Sequence, residues 1–441
     1  MKRSIQLLLA STLVFWTACN ENKHNATSSP TQAVQVDSLP GQSPYLTKDA
    51  KGNAVLSWVR MQNDSAAVFC YAMSTNGKAF DRPVIIPNSE NIQPHGENLP
   101  KIIFKPSGEI IALWGAPSTQ SKNKYAGMVF YAQSFDEGKS WTTSRPLTTD
   151  TSSNDQRYYD VALLPTGEVG IIWLDNRKTS DREGSALYFA ATNGKDGFQN
   201  EKRIAESCCQ CCRTDLFIDS KGGIHTLYRG IIKDSIRDMV HAVSTDGGKT
   251  FSTPKRISED NWVIDGCPHT GPAMTENKTG LQFAWFTGGK EKGAYFTSSQ
   301  NNGASFTNRN AISRLGSHPQ LTALESGELV IVWDETTTTG NNVYKRIGVQ
   351  NRTPDGQSLG NRFITADTAM ASFPVVTSLK ENTALIAYSQ KKGDKNYVFY
   401  QLFNTAELPA LEQQGAIANV EVVKNNGYDT RRCGRKDQDH L

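Results

Sequence analysis

The sequence predicts an all-β fold, a β-propeller of seven four-stranded blades. Three observations lead to this prediction: a seven-fold internal repeat, a two-residue alternation of apolar and polar side chains within each repeat, and the overall composition. Hydrophobic residues make up 37% of the 441 positions, and 35 glycines accompany many Ser, Thr and Asn, which suits a turn-rich β protein. Six blades with an appended segment are the alternative.

Each repeat starts with two strands joined by a tight turn, as in "NLPKIIFKPSGEIIALW", and the second strand closes on an aromatic residue. A third strand such as "MVFYAQS" follows, and often a fourth such as "RPVIIP". Four strands in about 50 residues correspond to one propeller blade. The closing aromatics are Trp58, Trp114, Trp173, Tyr228, Trp285, Trp333 and Tyr388, with successive spacings of 56, 59, 55, 57, 48 and 55 residues.

The seventh repeat has no evident fourth strand after "YVFYQLF". The N-terminal stretch "QAVQVDS" alternates as a strand does, and it is predicted to supply the missing strand and close the ring. Residues 37–406 are assigned to the propeller, residues 19–36 to a polar tether and residues 407–441 to a polar tail.

Residues 1–18 have the features of a secretory signal peptide: Lys2 and Arg3, then a short apolar run at 5–16, then small residues. The segment resembles a bacterial lipoprotein signal, which implies that Cys19 becomes a lipid-modified N-terminus. We therefore expect a cell-envelope protein that reaches the membrane through this lipid alone, or a secreted one if Cys19 is not acylated. The formal charge of +3 is too small for a nucleic-acid binder that acts through bulk electrostatics. Separately, we expect the protein to be a monomer.

A second motif recurs between third and fourth strands: "SFDEGKSW", "STDGGKTF", "SQNNGASF" and the shortened "STNGKAF". These resemble the Asp box of the sialidase-like BNR-repeat propellers, and the resemblance covers residues 40–405. The motif is a self-contained turn in which an Asp accepts backbone N–H groups and a Gly takes positive φ. Asp136 and Asp246 are therefore interpreted as turn residues on the face opposite a binding site.

The resemblance implies a possible glycosidase, but the sialidase arginine that opens the first blade is missing. That blade opens as "GQSPYL", with Gln42 and Ser43 before Pro44, and no confident match to the family's Tyr/Glu pair is found. The resemblance therefore favours a divergent glycan-directed protein, a glycoside hydrolase or a carbohydrate binder, with unassigned catalytic residues. Solvated charges and ion pairs are the alternative for the substrate-binding candidates, which are Tyr158, Asp175, Arg177, Arg213, Arg229, Arg237 and Glu335.

Four of the eight cysteines fall in "SCCQCCRTD", which enters the fourth blade, and a fifth lies in "DGCPHTGP", which enters the fifth. Loops that enter inner strands converge on one mouth of the channel. Thiolate and imidazole ligands together suit copper or zinc. The candidate ligands are Cys208, Cys209, Cys211, Cys212, Cys267 and His269, with His95 and His318 as further possibilities.

Two alternatives to a metal site remain open from the sequence: structural disulfides, with a bridge between Cys267 and the four-cysteine loop, and a free catalytic thiol. Vicinal bridges within the loop would be strained. The functional hypotheses are thus a glycan-directed protein, a periplasmic copper or zinc protein built on this loop, and a scaffold for another envelope protein.

Overall fold

The computed structural model describes residues 32–119, 121, 125–150, 155–177, 183–264 and 266–405. The signal peptide, Cys19 and Cys433 lie outside these residues. The described chain is almost entirely β-strand, with a short 3-10 turn at Gly194–Asp196. Among these residues, no helix has the length and apolar character needed to cross a membrane.

Seven antiparallel four-stranded sheets confirm the seven-bladed propeller, so the six-bladed alternative is wrong. In blades one to six, strands follow one another in chain order from the channel outwards. Blade one has β2 (Gly41–Lys48), β3 (Ala54–Met61), β4 (Ala67–Ser74) and β5 (Val84–Ile85); blade two has β6 (Lys101–Phe104), β7 (Ile110–Pro117), β8 (Gly127–Ser134) and β9 (Arg145–Pro146); blade three has β10 (Gln156–Leu163), β11 (Val169–Asp175), β12 (Ser185–Thr192) and β13 (Phe198–Cys208).

The remaining blades repeat this arrangement. Blade four has β14 (Asp215–Ile218), β15 (Ile224–Arg229), β16 (Met239–Ser244) and β17 (Lys255–Arg256); blade five has β18 (Ala273–Asn277), β19 (Gly280–Thr287), β20 (Gly293–Ser299) and β21 (Asn310–Ser313); blade six has β22 (Gly316–Ala323), β23 (Leu329–Thr339), β24 (Asn342–Arg352) and β25 (Ser358–Phe363); blade seven has β26 (Ala371–Ser378), β27 (Thr383–Lys392) and β28 (Lys395–Asn404).

The ring closes through β1 (Val34–Gln35), which forms the fourth strand of blade seven. Val34 pairs with Tyr400 and Gln35 with Phe399 in antiparallel register. The strand lies within "QAVQVDS", as the alternation predicts. The tether assigned to residues 19–36 therefore overlaps the propeller at these two residues, because a two-residue strand is too short to stand out from the polar sequence around it.

The hydrophobic cores lie between neighbouring blades. The seven aromatics that close the second strands are all buried, and each large ring removes about 150–250 Å² of mostly apolar surface from water. Because every blade buries both faces against its neighbours, the inner edge of the ring is left to polar and partly exposed side chains. These inner-strand side chains form the channel and its mouth.

Four inner strands share a backbone irregularity at their third residue. The pairing register shifts there, and the non-glycine residues Ser43, Tyr158, His318 and Phe373 have φ of 59°, 56°, 51° and 54°. A non-glycine residue in this left-handed region costs of order 1–3 kcal/mol. The repetition in four blades indicates that this conformation belongs to the blade entrance, where it fixes the side chains of the channel mouth.

Candidate functional site

A cluster of three thiols lies at the entrance to blade four. The loop between β13 and β14 carries Cys209, Cys211 and Cys212, whose side chains are 2%, 3% and 1% exposed. Their sulfur atoms all lie within 4.8 Å of one another, and Cys209 Sγ is 3.6 Å from Cys211 Sγ. A disulfide bond would require about 2.05 Å. These residues are called the thiol cluster below.

The other two cysteines predicted as ligands occupy different positions. Cys208 ends β13, and its thiol is 3.7 Å from the carbonyl oxygen of Glu206 while its backbone bridges to Gly230. Cys267 approaches from the next blade, where its thiol interacts with that of Cys211. None of the six cysteines in the described part of the chain forms a disulfide.

Arg229, at the end of β15, supplies the positive charge beside the thiol cluster. It is 2% exposed, and its Nε donates to Cys212 Sγ at 3.4 Å. Its other nitrogens donate to the carbonyl oxygens of Arg237, Thr270 and Phe286 at 2.9–3.1 Å. Among the described residues, no carboxylate forms an ion pair with Arg229, whereas the neighbouring Arg213 and Arg237 each have one. A buried charge ordinarily has an ionic partner. Cys212 is the group placed to be that partner.

The electrostatics of the cluster agree with an ionised Cys212. Burial opposes ionisation, but hydrogen bonds from the Cys209 and Cys211 thiols, the Arg229 charge and the Thr270 backbone N–H hold the pKa of Cys212 well below its usual range. The pKa values of Cys209 and Cys211 are raised well above theirs, through the shared hydrogen bonds and burial. Of the three sulfurs, that of Cys212 is thus the one whose surroundings favour the thiolate.

Tyr158 lies against the same cluster. Its side chain is 0% exposed, and its phenol oxygen has no hydrogen-bond partner among the described residues. Burial raises its pKa well above the usual value, and the charges of Cys211 and Cys212 add to that rise. A fully buried polar group without a partner is uncommon in native proteins.

The three histidines predicted near the mouth do converge, but two are committed to protein partners. His318 faces Asp334 through Nδ1 at 2.8 Å and the His269 carbonyl oxygen through Nε2 at 3.1 Å. Both partners accept, so the ring is doubly protonated, and although burial opposes this, Asp334 raises the pKa of His318. His95 Nδ1 accepts the backbone N–H of Glu97 at 3.0 Å, and its ring lies 6.0 Å from that of His269.

A buried ion pair joins the entrance loops of several blades. Arg213 follows the thiol cluster directly and donates from Nη1 to Glu97 Oε1 at 2.8 Å. Its Nη2 donates to the carbonyl oxygens of Gly271, Pro272 and Pro319 at 2.9–3.3 Å. The guanidinium thus spans from blade four to blades two, five and six, and its role is to join blades at the axis. Its hydrogen bonds leave it little capacity for a substrate carboxylate.

Further polar groups lie deeper in the channel. Lys101 Nζ donates to Asp160 Oδ1 at 2.6 Å and to the Tyr159 carbonyl oxygen at 2.8 Å. Asp160 Oδ2 accepts the backbone N–H of Leu216 at 2.7 Å. Burial and the neighbouring Asp160 raise the pKa of Asp215 well above its usual value. This network connects blades two, three and four.

Two rim candidates in blade three bind each other. Asp175 is fully buried and accepts from Trp173 Nε1 at 3.0 Å and from Arg177 Nη2 at 2.7 Å. Arg177 also donates to Glu201 at 2.7 Å and stacks over the ring of Tyr188 at 4.2 Å. Both side chains hold the tryptophan and the loop that follows β11.

Two other rim candidates are also engaged. Glu335 accepts from Arg346 at 2.9 Å and from Trp333 Nε1 at 3.3 Å, so it repeats in blade six the role of the blade-three aspartate. Arg237 pairs with Glu183 at 2.8 Å. The rim arginines predicted as substrate ligands are thus occupied by protein acceptors.

An open cleft lies between blades three and four, behind the thiol cluster. Its volume is about 1180 Å³, and it is bounded on one side by the end of β13 and on the other by the loop after β15. The lining combines apolar and charged side chains, among them Ile204, Ile231, Glu206, Lys233 and Arg256.

Sequence reasoning missed Glu97 and the part played by Arg229 beside a thiol. Glu97 lies in "QPHGENLP", the stretch that enters blade two, and its being the one acidic residue of that stretch was the available signal. The pairing of Arg229 with Cys212 could not be recognised, because the two residues belong to different segments whose relative rotation only the folded blade sets.

Comparisons with known proteins found solved structures of similar fold, but no matching family model and no matching curated protein. No model of a known protein family matches the chain, and no curated protein matches its sequence. Among solved structures, the polysaccharide lyase Uly1 is 11% identical, with a TM-score of 0.52 over 83% of this chain and 90% of that chain. A variant of the NanB sialidase from Streptococcus pneumoniae is 10% identical, with a TM-score of 0.47 over 83% of this chain and 86% of that one.

A protein of unknown function from Dyadobacter fermentans is 15% identical, with a TM-score of 0.48 over 70% of this chain and 96% of that chain. At these identities the likeness concerns architecture, and it agrees with the seven-bladed β-propeller described above.

Proposed function

We propose that this propeller binds a soft metal ion through the thiol cluster of Cys209, Cys211 and Cys212. The observation that carries the proposal is the convergence of three buried sulfurs within 4.8 Å of one another. Thiolate sulfur selects soft ions such as Cu(I), and it also binds zinc. Metal–sulfur bonds of about 2.3 Å place the sulfurs of one site about 4 Å apart. The Cys209–Cys211 separation of 3.6 Å fits that requirement.

The site's own residues have distinct parts in this function. Cys212 offers a thiolate in advance of the ion, and Arg229 holds that sulfur in place and balances its charge. The apolar surroundings, which include Leu187 and Tyr228, keep water from the sulfurs. An ion held there is protected from exchange with solvent ligands.

Metal analysis tests the proposal. Protein purified without a histidine tag, under reducing conditions, is expected to carry or take up about one copper or zinc ion per chain. The C209A/C211A/C212A variant should bind none, whereas Cys70→Ala should bind as the natural chain does. Cys70 is the matched control, because it is a buried reduced cysteine in β4, away from the cluster. Equal metal content in the triple variant and the control would overturn the proposal.

A glycan ligand is the second candidate function, and the cleft between blades three and four favours it. Its volume of about 1180 Å³ is large enough for an oligosaccharide, and Lys233 provides a cation for an acidic sugar. The fold of the chain also resembles that of a polysaccharide lyase, which supports a glycan ligand at the level of the fold. The rim arginines are engaged elsewhere, so we expect binding without sialoside hydrolysis.

Calorimetric titration with 3′-sialyllactose and with an oligogalacturonate tests this second candidate. Lys233→Glu should weaken binding of the acidic sugar, while Lys51→Glu, on an exposed turn of the opposite face, should not. The absence of binding by either saccharide at millimolar concentration, or equal effects of the two substitutions, would refute the glycan function at this cleft.

We also infer an envelope location through acylation of Cys19, on the strength of the leader sequence. Expressed in a bacterium, the full chain should fractionate with membranes and incorporate labelled palmitate. The Cys19→Ala variant should lose the label and leave the membrane fraction. Retention of the label in that variant would contradict the inference.

A further inference from the structure

The thiol cluster also indicates which soft ion it holds. We infer that the site takes Cu(I) in three-coordinate sulfur ligation and discriminates against Zn(II). This inference rests on the proposed metal-binding function and adds the identity of the ion. It follows from the number of donors, from the commitments of the nearby imidazoles and from the surroundings of the site.

The donor set contains three sulfurs and not four. Cys209, Cys211 and Cys212 are the residues whose ligand atoms all lie within 4.8 Å of one another in the described chain. Cys267 interacts with Cys211 but falls outside that mutually close set. Structural zinc sites are almost always four-coordinate, whereas soft thiolate ligands are the ones that select Cu(I).

No histidine nitrogen belongs to the mutually close set in the described chain, and two of the three imidazoles at the mouth are directed to other partners. His318 donates from both ring nitrogens, to Asp334 and to the His269 carbonyl oxygen. A doubly protonated ring has no lone pair for a metal. His95 uses its Nδ1 lone pair to accept the Glu97 N–H, so its other nitrogen carries the proton. Neither ring can bind a metal without breaking these bonds.

The surroundings of the three sulfurs are apolar. The three cysteines are packed among residues such as Leu174, Leu187 and Val240. No carboxylate oxygen belongs to the mutually close set in the described chain. A soft ion satisfied by sulfur alone fits this environment, and an ion that retains oxygen ligands does not.

Parallel affinity measurements on the reduced, metal-free full chain test the inference. Cu(I) is titrated against bathocuproine disulfonate without oxygen, and Zn(II) against 4-(2-pyridylazo)resorcinol. We expect the protein to retain Cu(I) in competition with its chelator and to lose Zn(II) to its chelator. X-ray absorption of the copper-loaded protein should show sulfur neighbours and no nitrogen.

Single substitutions separate three ligands from four. Replacing Cys209, Cys211 or Cys212 by serine should lower Cu(I) affinity by more than about 100-fold, since even an outer-shell partner is worth 10–100-fold. Cys267→Ser should leave Cu(I) affinity unchanged. Zn(II) binding as tight as that of Cu(I) and abolished by Cys267→Ser would overturn the inference while leaving metal binding intact. If neither ion binds, the proposed function itself fails.

Discussion

The buried lysine of the central channel provides a sharp test of how the blades are held together. Lys101 is 2% exposed, and its ammonium group has two partners, Asp160 at 2.6 Å and the Tyr159 carbonyl oxygen at 2.8 Å. Lys101→Met keeps most of the apolar stem and removes the charge. The Asp160 carboxylate then stays buried without a cation beside it, and the carbonyl group loses its donor.

The expected cost follows from these two losses. Breaking a buried ion pair by removing one partner destabilises a protein by about 3–5 kcal/mol. An unsatisfied buried carbonyl costs about 1–3 kcal/mol, part of which is already included in that figure. We therefore expect Lys101→Met to lower the free energy of unfolding by about 4 kcal/mol. The K101M/D160N double variant should recover about 2 kcal/mol of it, because the stranded charge is gone.

Urea unfolding followed by tryptophan fluorescence measures these differences, since five of the closing aromatics are buried tryptophans. Lys51→Met is the control, because Lys51 is exposed in the turn after β2 and its substitution should change stability by less than about 0.5 kcal/mol. The reasoning is refuted if Lys101→Met costs no more than this control. It is also refuted if Lys101→Met and Asp160→Asn are simply additive in the double variant.

Three further predictions concern pH and ring closure. The pKa of Asp215 is raised in the folded chain, so the protein loses folding stability as pH rises above the pKa of this group in the unfolded chain, which is near 4. Asp215→Asn should therefore raise the urea midpoint at pH 7 and change it little at pH 4. An equal shift at both pH values would contradict this. Burial and the neighbouring His225 lower the pKa of His241 to about 3, so the contribution of His241 to folding stability is full above about pH 6.5 and falls as pH decreases towards 3. His241→Gln should make the urea midpoint less dependent on pH between 7 and 4. An unchanged dependence of the midpoint on pH would count against this. A chain that starts at Asp37 lacks β1, which leaves the edge of β28 unpaired. It should unfold at a lower temperature and aggregate faster, as measured by light scattering. Behaviour identical to that of the full chain would show that β1 does not stabilise the closed ring.

The number and order of the blades could be predicted from the sequence because they depend on local patterns. Alternation with period two and an aromatic at each second-strand end repeat in every blade, and neither depends on distant residues. Ring closure by "QAVQVDS" was predictable for a related reason, since one blade lacked a strand and one unassigned stretch alternated. The convergence of His95, Tyr158 and His269 also follows from topology, because all three lie on loops that enter inner strands.

The chemistry of each side chain could not be predicted in the same way. Arg213, Arg229 and Arg237 were all plausible ligands for an anionic substrate, yet each is occupied by protein acceptors that lie 8 to 116 residues away in sequence. The separation of Cys208 from Cys209 depends on where β13 ends and the chain turns. Such outcomes are set by rotations of a few tens of degrees at loop residues, which composition and spacing do not encode.

The ion pair between Arg213 and Glu97 has a consequence for how the ring comes apart. Arg213 donates to Glu97 at the entrance of blade two and to carbonyl oxygens of Pro272 and Pro319 at the entrances of blades five and six. Glu97 also accepts the backbone N–H of Gly271. Blades that are distant in the chain are therefore tied to one another at the axis, so none of them can move away from the ring without breaking bonds that also hold the others.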